Sequence, residues 1–162
     1  MAAMTLEGGL ADRSAWTANR CSIDRAMGII GTRSAVLILR EAFYGTTRFD
    51  DFAKRVGITE AVAAARLKDL TTAGLFEKSP YREAGQRTRY EYLLTEMGND
   101  LLPVLLGLMQ WGDKYLQDGG GPLEVTVDGE PAHADVRGLG GSPVTAEDLV
   151  VRPSRQAQNR MR

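Results

Sequence analysis

The stretch that most constrains this chain runs from Arg48 to Leu94, RFDDFAKRVGITEAVAAARLKDLTTAGLFEKSPYREAGQRTRYEYLL. Its hydrophobic spacing changes period along the way, and that change dictates an order of elements. Phe49, Phe52, Ala53 and Val56 recur at i, i+3, i+4 and i+7, the spacing of one apolar stripe on a helix, while Asp50, Asp51, Lys54 and Arg55 occupy the other face. Gly57 can close that helix in a left-handed conformation, Ile58 plugs the turn, and Thr59 offers an oxygen to the orphan N–H groups of a second helix. The second helix is predicted from Thr59 or Glu60 to about Ala73, capped by Gly74. Two helices joined by so tight a turn, followed by LFEKSPY and TRYEYLL as strands around a loop with Gly85, predict a winged helix-turn-helix.

In such an arrangement the second helix is the one that enters a DNA major groove. At about 100° per residue, Ala63, Leu67, Leu70 and Gly74 share the side that faces the core, together with Ile58. The opposite side carries Ala61, Ala65, Lys68 and Thr72, with Arg66 on a flank, Ala64 between them, and Thr59 and Glu60 at the N-terminus. Few of these residues can make paired hydrogen bonds to bases, so readout would rest on alanine contacts with thymine methyl groups, on Thr59 and on one or two cations. Small side chains also let the helix sit deep in the groove. Arg82, Arg87 and Arg89 sit in or beside the loop between the strands, and Arg48 precedes the first helix; all four are candidate phosphate contacts.

The charge distribution agrees with this placement, although the net charge of −1 over 162 residues does not at first suggest a DNA binder. Arg33 to Arg89 holds eleven Lys or Arg against seven Asp or Glu, whereas Gln117 to Val151 holds one against seven. The local field over a contact surface matters and the sum does not. No stretch approaches the roughly 20 apolar residues of a membrane span, and the first residues lack a basic head followed by an apolar run. With one cysteine, Cys21, an internal disulfide is excluded, so a cytoplasmic location is expected and no membrane partner.

Outside the central stretch, residues 1–20 are predicted to be a polar arm anchored by Trp16, mobile or lying across a partner subunit. Ser22 is expected to cap a helix running to Gly31, with Ile23, Ala26, Met27 and Ile30 on one face, and Thr32 to begin another with Ala35, Val36, Leu39, Ala42 and Phe43 inward. Thr95 is predicted to cap a single long helix to about Leu116 with Pro103 inside it. Leu101, Leu102, Val104, Leu105, Leu108, Met109 and Trp111 cover more than one side of that helix, more apolar surface than one winged helix buries. Trp16, Ile23, Met27, Leu101, Leu105, Leu108, Met109, Trp111 and Tyr115 are therefore the candidate interface of a two-fold homodimer, the alternative being a C-terminal tail that folds back over the helix. From Gln117 to Arg162 follow a Gly-rich linker, an acidic segment in which LEVTVDGE and LVVRP predict a small β appendage, and a basic end.

The segment CSIDRAMGIIGTRSAVLILREAFYGTTRFDDFAKRVGI, followed by RLKDL, AGL and RYEYLLTEMG, resembles the HxlR family of winged-helix transcriptional regulators, which are related to the MarR type. The likeness spans roughly Cys21 to Gly112. It implies a mainly helical fold with a small β wing, and a homodimer on an inverted repeat of double-stranded DNA. A repressor is expected rather than an activator, because a groove-bound dimer blocks polymerase without further contacts. Ser34 and Ala35 replace a Lys-Trp pair that members often carry, and Ala61 and Ala65 stand where polar side chains are usual. Some such regulators sense oxidants or electrophiles through a cysteine at the position of Cys21, making it a redox-sensing candidate. Apolar space between the long helix and the winged domain suits a small hydrophobic effector as a second partner. A start-of-helix position with Arg20 and Arg25 nearby in sequence suits a reactive thiol; a small interface residue is the plainer role.

An enzyme finds little support here. The chain has one histidine, His133, and no metal-spaced ligands, so neither a metal nor a cofactor is expected. A tail zinc site built on paired cysteines cannot form. A winged helix used only as a protein adaptor, without DNA binding, is the remaining alternative, and the alanine-rich reading face is what favours it.

Overall fold

A computed structural model of the protein describes residues 3–15, 21–82, 85 and 87–154. In chain order its elements are β1 (Thr5–Leu6), α1 (Ser22–Ile30), α2 (Arg33–Phe43), α3 (Phe49–Val56), α4 (Glu60–Thr72), β2 (Phe76–Tyr81), β3 (Arg89–Leu94), α5 (Glu96–Asn99), α6 (Leu102–Leu116), β4 (Thr126–Val127), β5 (Glu130–Pro131) and β6 (Val150–Val151). The chain divides into two units, Ser22–Ala134 and a smaller one made of residues 1–21 with 135–162. Residues 117–134, which composition groups with the tail, lie in the larger unit.

In the larger unit α2, α3 and α4 enclose a core of Ala35, Ile38, Leu39, Phe52, Val56, Ala63, Leu67 and Leu70, closed by Leu75 and Phe76. Each residue reaches the core because of its helical spacing. Phe52, Ala53 and Val56 are buried on α3, and Leu67 and Leu70 lie with Ala63 on the inner face of α4. On α2 the buried line is Ala35, Ile38 and Leu39. Val36 and Phe43, expected inward, are only half-buried because they lie one step round the helix from that line. Gly57 closes α3 at φ 70°, a left-handed conformation that costs a residue with a Cβ.

The antiparallel β2–β3 hairpin is the wing, in register from Phe76 opposite Leu94 to Tyr81 opposite Arg89. It is locked to the helices in two ways. Phe52 meets the rings of Phe76 and Tyr92 edge-on, at centroid distances of 6.0 and 6.4 Å. The Tyr92 N–H also donates to the Thr47 carbonyl at 2.8 Å, so the turn before α3 joins the edge of the hairpin.

The region after the wing departs from the single helix that was predicted. The helix breaks at Asp100–Leu101 into α5 and α6, and Pro103 falls in the first turn of α6. Proline has no N–H and its ring would collide with the carbonyl four residues back, so a continuous helix is disfavoured there while a first-turn position is well suited. Thr95 caps α5 as expected, its hydroxyl accepting from the Gly98 N–H at 3.2 Å and donating to the Gly74 carbonyl at 2.6 Å. Gly98 packs so closely on the chain that a Cβ would meet the Leu75 carbonyl oxygen.

Asp128 and Gly129, both at positive φ, form the two-residue turn between β4 and β5 that the Asp-Gly pair predicted. In the smaller unit β6 pairs in parallel with β1. The start of the chain, expected to be mobile or to cross a partner, is thus held by its own C-terminal segment as far as residues 5–7. Ser22 lies inside α1 and does not precede it as a cap. Trp16, Arg20 and residues 155–162 lie outside the described residues.

Candidate nucleic-acid interface

The loop from Gly57 to Thr59 sets the direction of α4, the candidate reading helix. The Ile58 N–H donates to the Ala53 carbonyl at 3.1 Å, which folds the chain back over α3, and Thr59 accepts from the Val62 N–H at 3.3 Å. With Ala63, Leu67 and Leu70 turned inward, the remaining surface of α4 follows from helix geometry alone. Thr59, Glu60, Ala61, Ala64, Ala65, Lys68 and Thr72 are all exposed. Gly74, expected in the core, is exposed and takes up a left-handed conformation at φ 86° just past the helix end. Val62 is also exposed, at 41%, a contribution to this face that the sequence reading passed over. The signal was available, since Val62 lies about 100° from the buried line.

Arg66 is the one residue of the candidate set on α4 that is already engaged. Its Nη1 donates to Asp69 Oδ2 at 3.0 Å, one helical turn on, and its Nε is buried without a hydrogen-bond partner among the described residues. The guanidinium therefore lies along the flank of the helix and does not project from its outer face.

The wing cations take two different environments. Arg82 and Arg87 are exposed beside Gly85, which turns at φ 77°. Arg89 lies 3.9 Å from Asp50 in the first turn of α3, an exposed and weak pair. Arg48, immediately before α3, lays its guanidinium over the Tyr81 ring 4.5 Å from the centroid, so the wing strand holds it in place. Tyr81 had not been singled out from the sequence. The positioning of Arg48 depends on the bridge between Arg48 and Glu91 of β3, a long-range pairing with no local signal.

The second face of interest is apolar. No residue of α6 is buried, although Leu, Met and Trp dominate it. Leu108 is 53% exposed, Trp111 56% and Tyr115 60%, with the Trp111 and Tyr115 rings 5.8 Å apart. Leu101, Leu105 and Met109, named with them as interface candidates, are half-buried, and Leu101 and Leu105 pack on the core. On α1 only Ile30 is buried, and Ile23 and Met27 are exposed. Cys21 is a free, half-buried thiol directly ahead of α1. Among the described residues no helix is long and apolar enough to cross a membrane.

Comparison with known proteins gives a consistent result. Residues 29–119 match the HxlR-like helix-turn-helix family. The HTH-type transcriptional regulator Rv3095 of Mycobacterium tuberculosis is 39% identical over 136 residues, which cover 82% of this chain and 85% of that one. Among solved structures, PA1607, assigned as a transcription factor, superposes with a TM-score of 0.71 at 36% identity over 85% of this chain and 96% of its own. The redox regulator HypR in its oxidised form is 25% identical, with a TM-score of 0.54 over 60% of this chain and 99% of its own.

Proposed function

Since the chain belongs to the HxlR-like helix-turn-helix family, a transcriptional regulator with a DNA-binding helix-turn-helix and not an enzyme, we propose that it acts as a homodimeric repressor on an inverted-repeat operator. The observation that carries the dimer is the apolar face of α6. α2 and residues 122–134 lie against part of this 15-residue helix, yet none of its residues is buried. The exposed remainder, rich in Leu, Trp and Tyr, supports a packing partner outside the chain. The exposed Ile23 and Met27 of α1 belong to the same proposal, as does Trp16. A two-fold pair would present two α4 helices to successive major grooves about 34 Å apart. Thr59, Glu60, Ala61, Ala64, Ala65, Arg66 and Lys68 would then face bases and nearby phosphates. Arg48, Arg82, Arg87 and Arg89 would neutralise phosphates. A dimer seated this way represses by occupying the promoter, with no further contact required.

Regulation is proposed at two places. Cys21 would report oxidants or electrophiles, a reading supported by the likeness to a redox regulator and by a free thiol beside a helix whose exposed face belongs to the proposed dimer. A cavity of about 680 Å³ lies between α2, α6 and residues 122–126, walled by Val36, Leu37, Phe43, Leu105 and Met109, with Arg40, Asp113 and Glu124 as its charged groups; its apolar walls suit a small hydrophobic effector.

The test is a salt-dependent gel-shift titration on the chain's own promoter region. The expected log–log slope of affinity against salt is steeper than about −4, because several phosphates are neutralised per dimer. A flat salt response would reject the DNA-binding reading in favour of a protein adaptor. The same assay with Cys21→Ser addresses the thiol: an oxidant response equal to that of the unaltered protein rejects the sensor.

A further inference from the structure

We propose that α4 recognises its operator chiefly through the 5-methyl groups of thymine, using Ala61, Val62 and Ala65, so that sequence specificity is set by apolar contact and not by arginine–guanine pairing. This rests on the DNA-binding reading above and specifies what the bound sequence contains. The first two turns of a recognition helix are the part that meets base edges. Here, past Thr59 and Glu60, those turns expose three alanines and Val62, none of which has a side-chain hydrogen-bonding group. The long donor among them, Arg66, is held by Asp69 at 3.0 Å along the flank. Its Nε is buried.

The chemistry that remains is selective. In the major groove thymine alone among the four bases carries a methyl group, and alanine-sized side chains reach it when the helix lies deep. Three features allow that depth: the alanines add no length, Val62 sits to one side of them, and the cations of the wing and of Arg48 take the phosphates at the margin. Glu60, at the exposed N-terminus of the helix, can only accept as a carboxylate, so the base beside it offers an amino group, cytosine N4 being the usual partner. Lys68, a turn further along, is exposed and remains available for phosphate or guanine. The favoured half-site therefore combines thymines under the first turns of α4 with a cytosine at one edge.

The experiment selects duplexes from a randomised pool with the full chain and then resynthesises the recovered site with deoxyuridine in place of each thymine in turn, which removes only the methyl. Binding should weaken about fourfold at each contacted thymine and be unchanged at thymines outside the half-sites. Ala65→Gln, which adds a paired donor and acceptor without touching the core, should shift one selected position from thymine to adenine. A recovered site whose restrictive positions are guanines, and which binds equally well with deoxyuridine throughout, overturns the proposal while leaving DNA binding intact. Failure to recover or retard any duplex at low salt overturns the DNA-binding reading itself, a distinct result.

Discussion

Helices α4 and α6 are of similar length, 13 and 15 residues, and the fold treats them in opposite ways. The first has a narrow stripe of Ala63, Leu67 and Leu70, all fully buried, and an outer face of alanine, lysine and threonine. The second is apolar on several sides and buries nothing completely. The stripe on α4 is as wide as the core that α2 and α3 offer it, so its partner lies within the chain. The apolar surface of α6 is only partly covered by α2 and residues 122–134, so Leu108, Trp111 and Tyr115 stay exposed. One helix thus finds its core partners in its own chain and leaves a face of alanine, lysine and threonine outward, and the other leaves part of an apolar face uncovered.

Breaking the surface of α6 should have the largest effect. Replacing Leu108 and Trp111 together by glutamate puts four charges into the proposed two-fold interface, where each buried apolar side chain would otherwise contribute about 1.5–3 kcal/mol. The dimer dissociation constant should rise on the order of a thousandfold or more, measured by sedimentation, and operator affinity should fall with it. The unfolding midpoint of the isolated protomer should stay where it was, because both side chains are already exposed. A double variant that still sediments as a dimer would mean that α6 is not the interface.

The corresponding change on α4 should act on stability first. Leu67→Ala empties a fully buried position and should cost about 2–5 kcal/mol in urea unfolding. Ala65→Ser, two residues away on the exposed face, should stay within about 0.5 kcal/mol. Equal costs at the two positions would erase the distinction between the inner and outer faces of α4. At Gly57 the same comparison applies to the backbone: Gly57→Ala has open space for its methyl but must hold φ near 70°, and should lose about 1 kcal/mol.

What the sequence made legible follows the same line. Periods set within a few residues, such as Phe52–Ala53–Val56, Leu67–Leu70 and the Gly57–Ile58–Thr59 turn, located α3, α4 and the turn between them to within a residue. The wing strands were equally readable because aromatic and branched residues cluster there. The break at Leu101 was not, since one proline is compatible with either a kinked helix or a new start, and the choice is made by how Gly98 packs on Leu75. The parallel pairing of β1 with β6 joins residues more than a hundred positions apart, and no local pattern announces it. Within the candidate interface the exposed positions of α4 could be listed from helix geometry, whereas the capture of Arg66 by Asp69 and of Arg48 by Tyr81 depends on rotamers and distant strands.

The smallest effect is expected where burial is least. From Gln117 to Ser154 no residue is buried, and the segment keeps its shape through hydrogen bonds, some within its own turns and others to Gln110 or β1, rather than through a core. The turn at Thr145 shows this, because Asp148 Oδ2 accepts from both the Thr145 N–H and its hydroxyl, at 2.7 and 2.8 Å. The backbone bond first, and then the side-chain bond, hold the Asp148 carboxyl below its ordinary value by favouring the charged form. A carboxyl depressed in the folded state contributes at pH values above its unfolded pKa, and that contribution disappears as acid carries the pH down through the folded one. The Asp148 side-chain carbon should therefore titrate below the usual aspartate range when followed by NMR, with the Thr145 amide moving in step. In Thr145→Ala the midpoint should return only part of the way, because the backbone N–H remains. Titration at the ordinary value in both proteins would place this turn among the unformed parts of the tail, and would carry the contrast with α4 to its limit, a surface held neither by a core nor by its own caps.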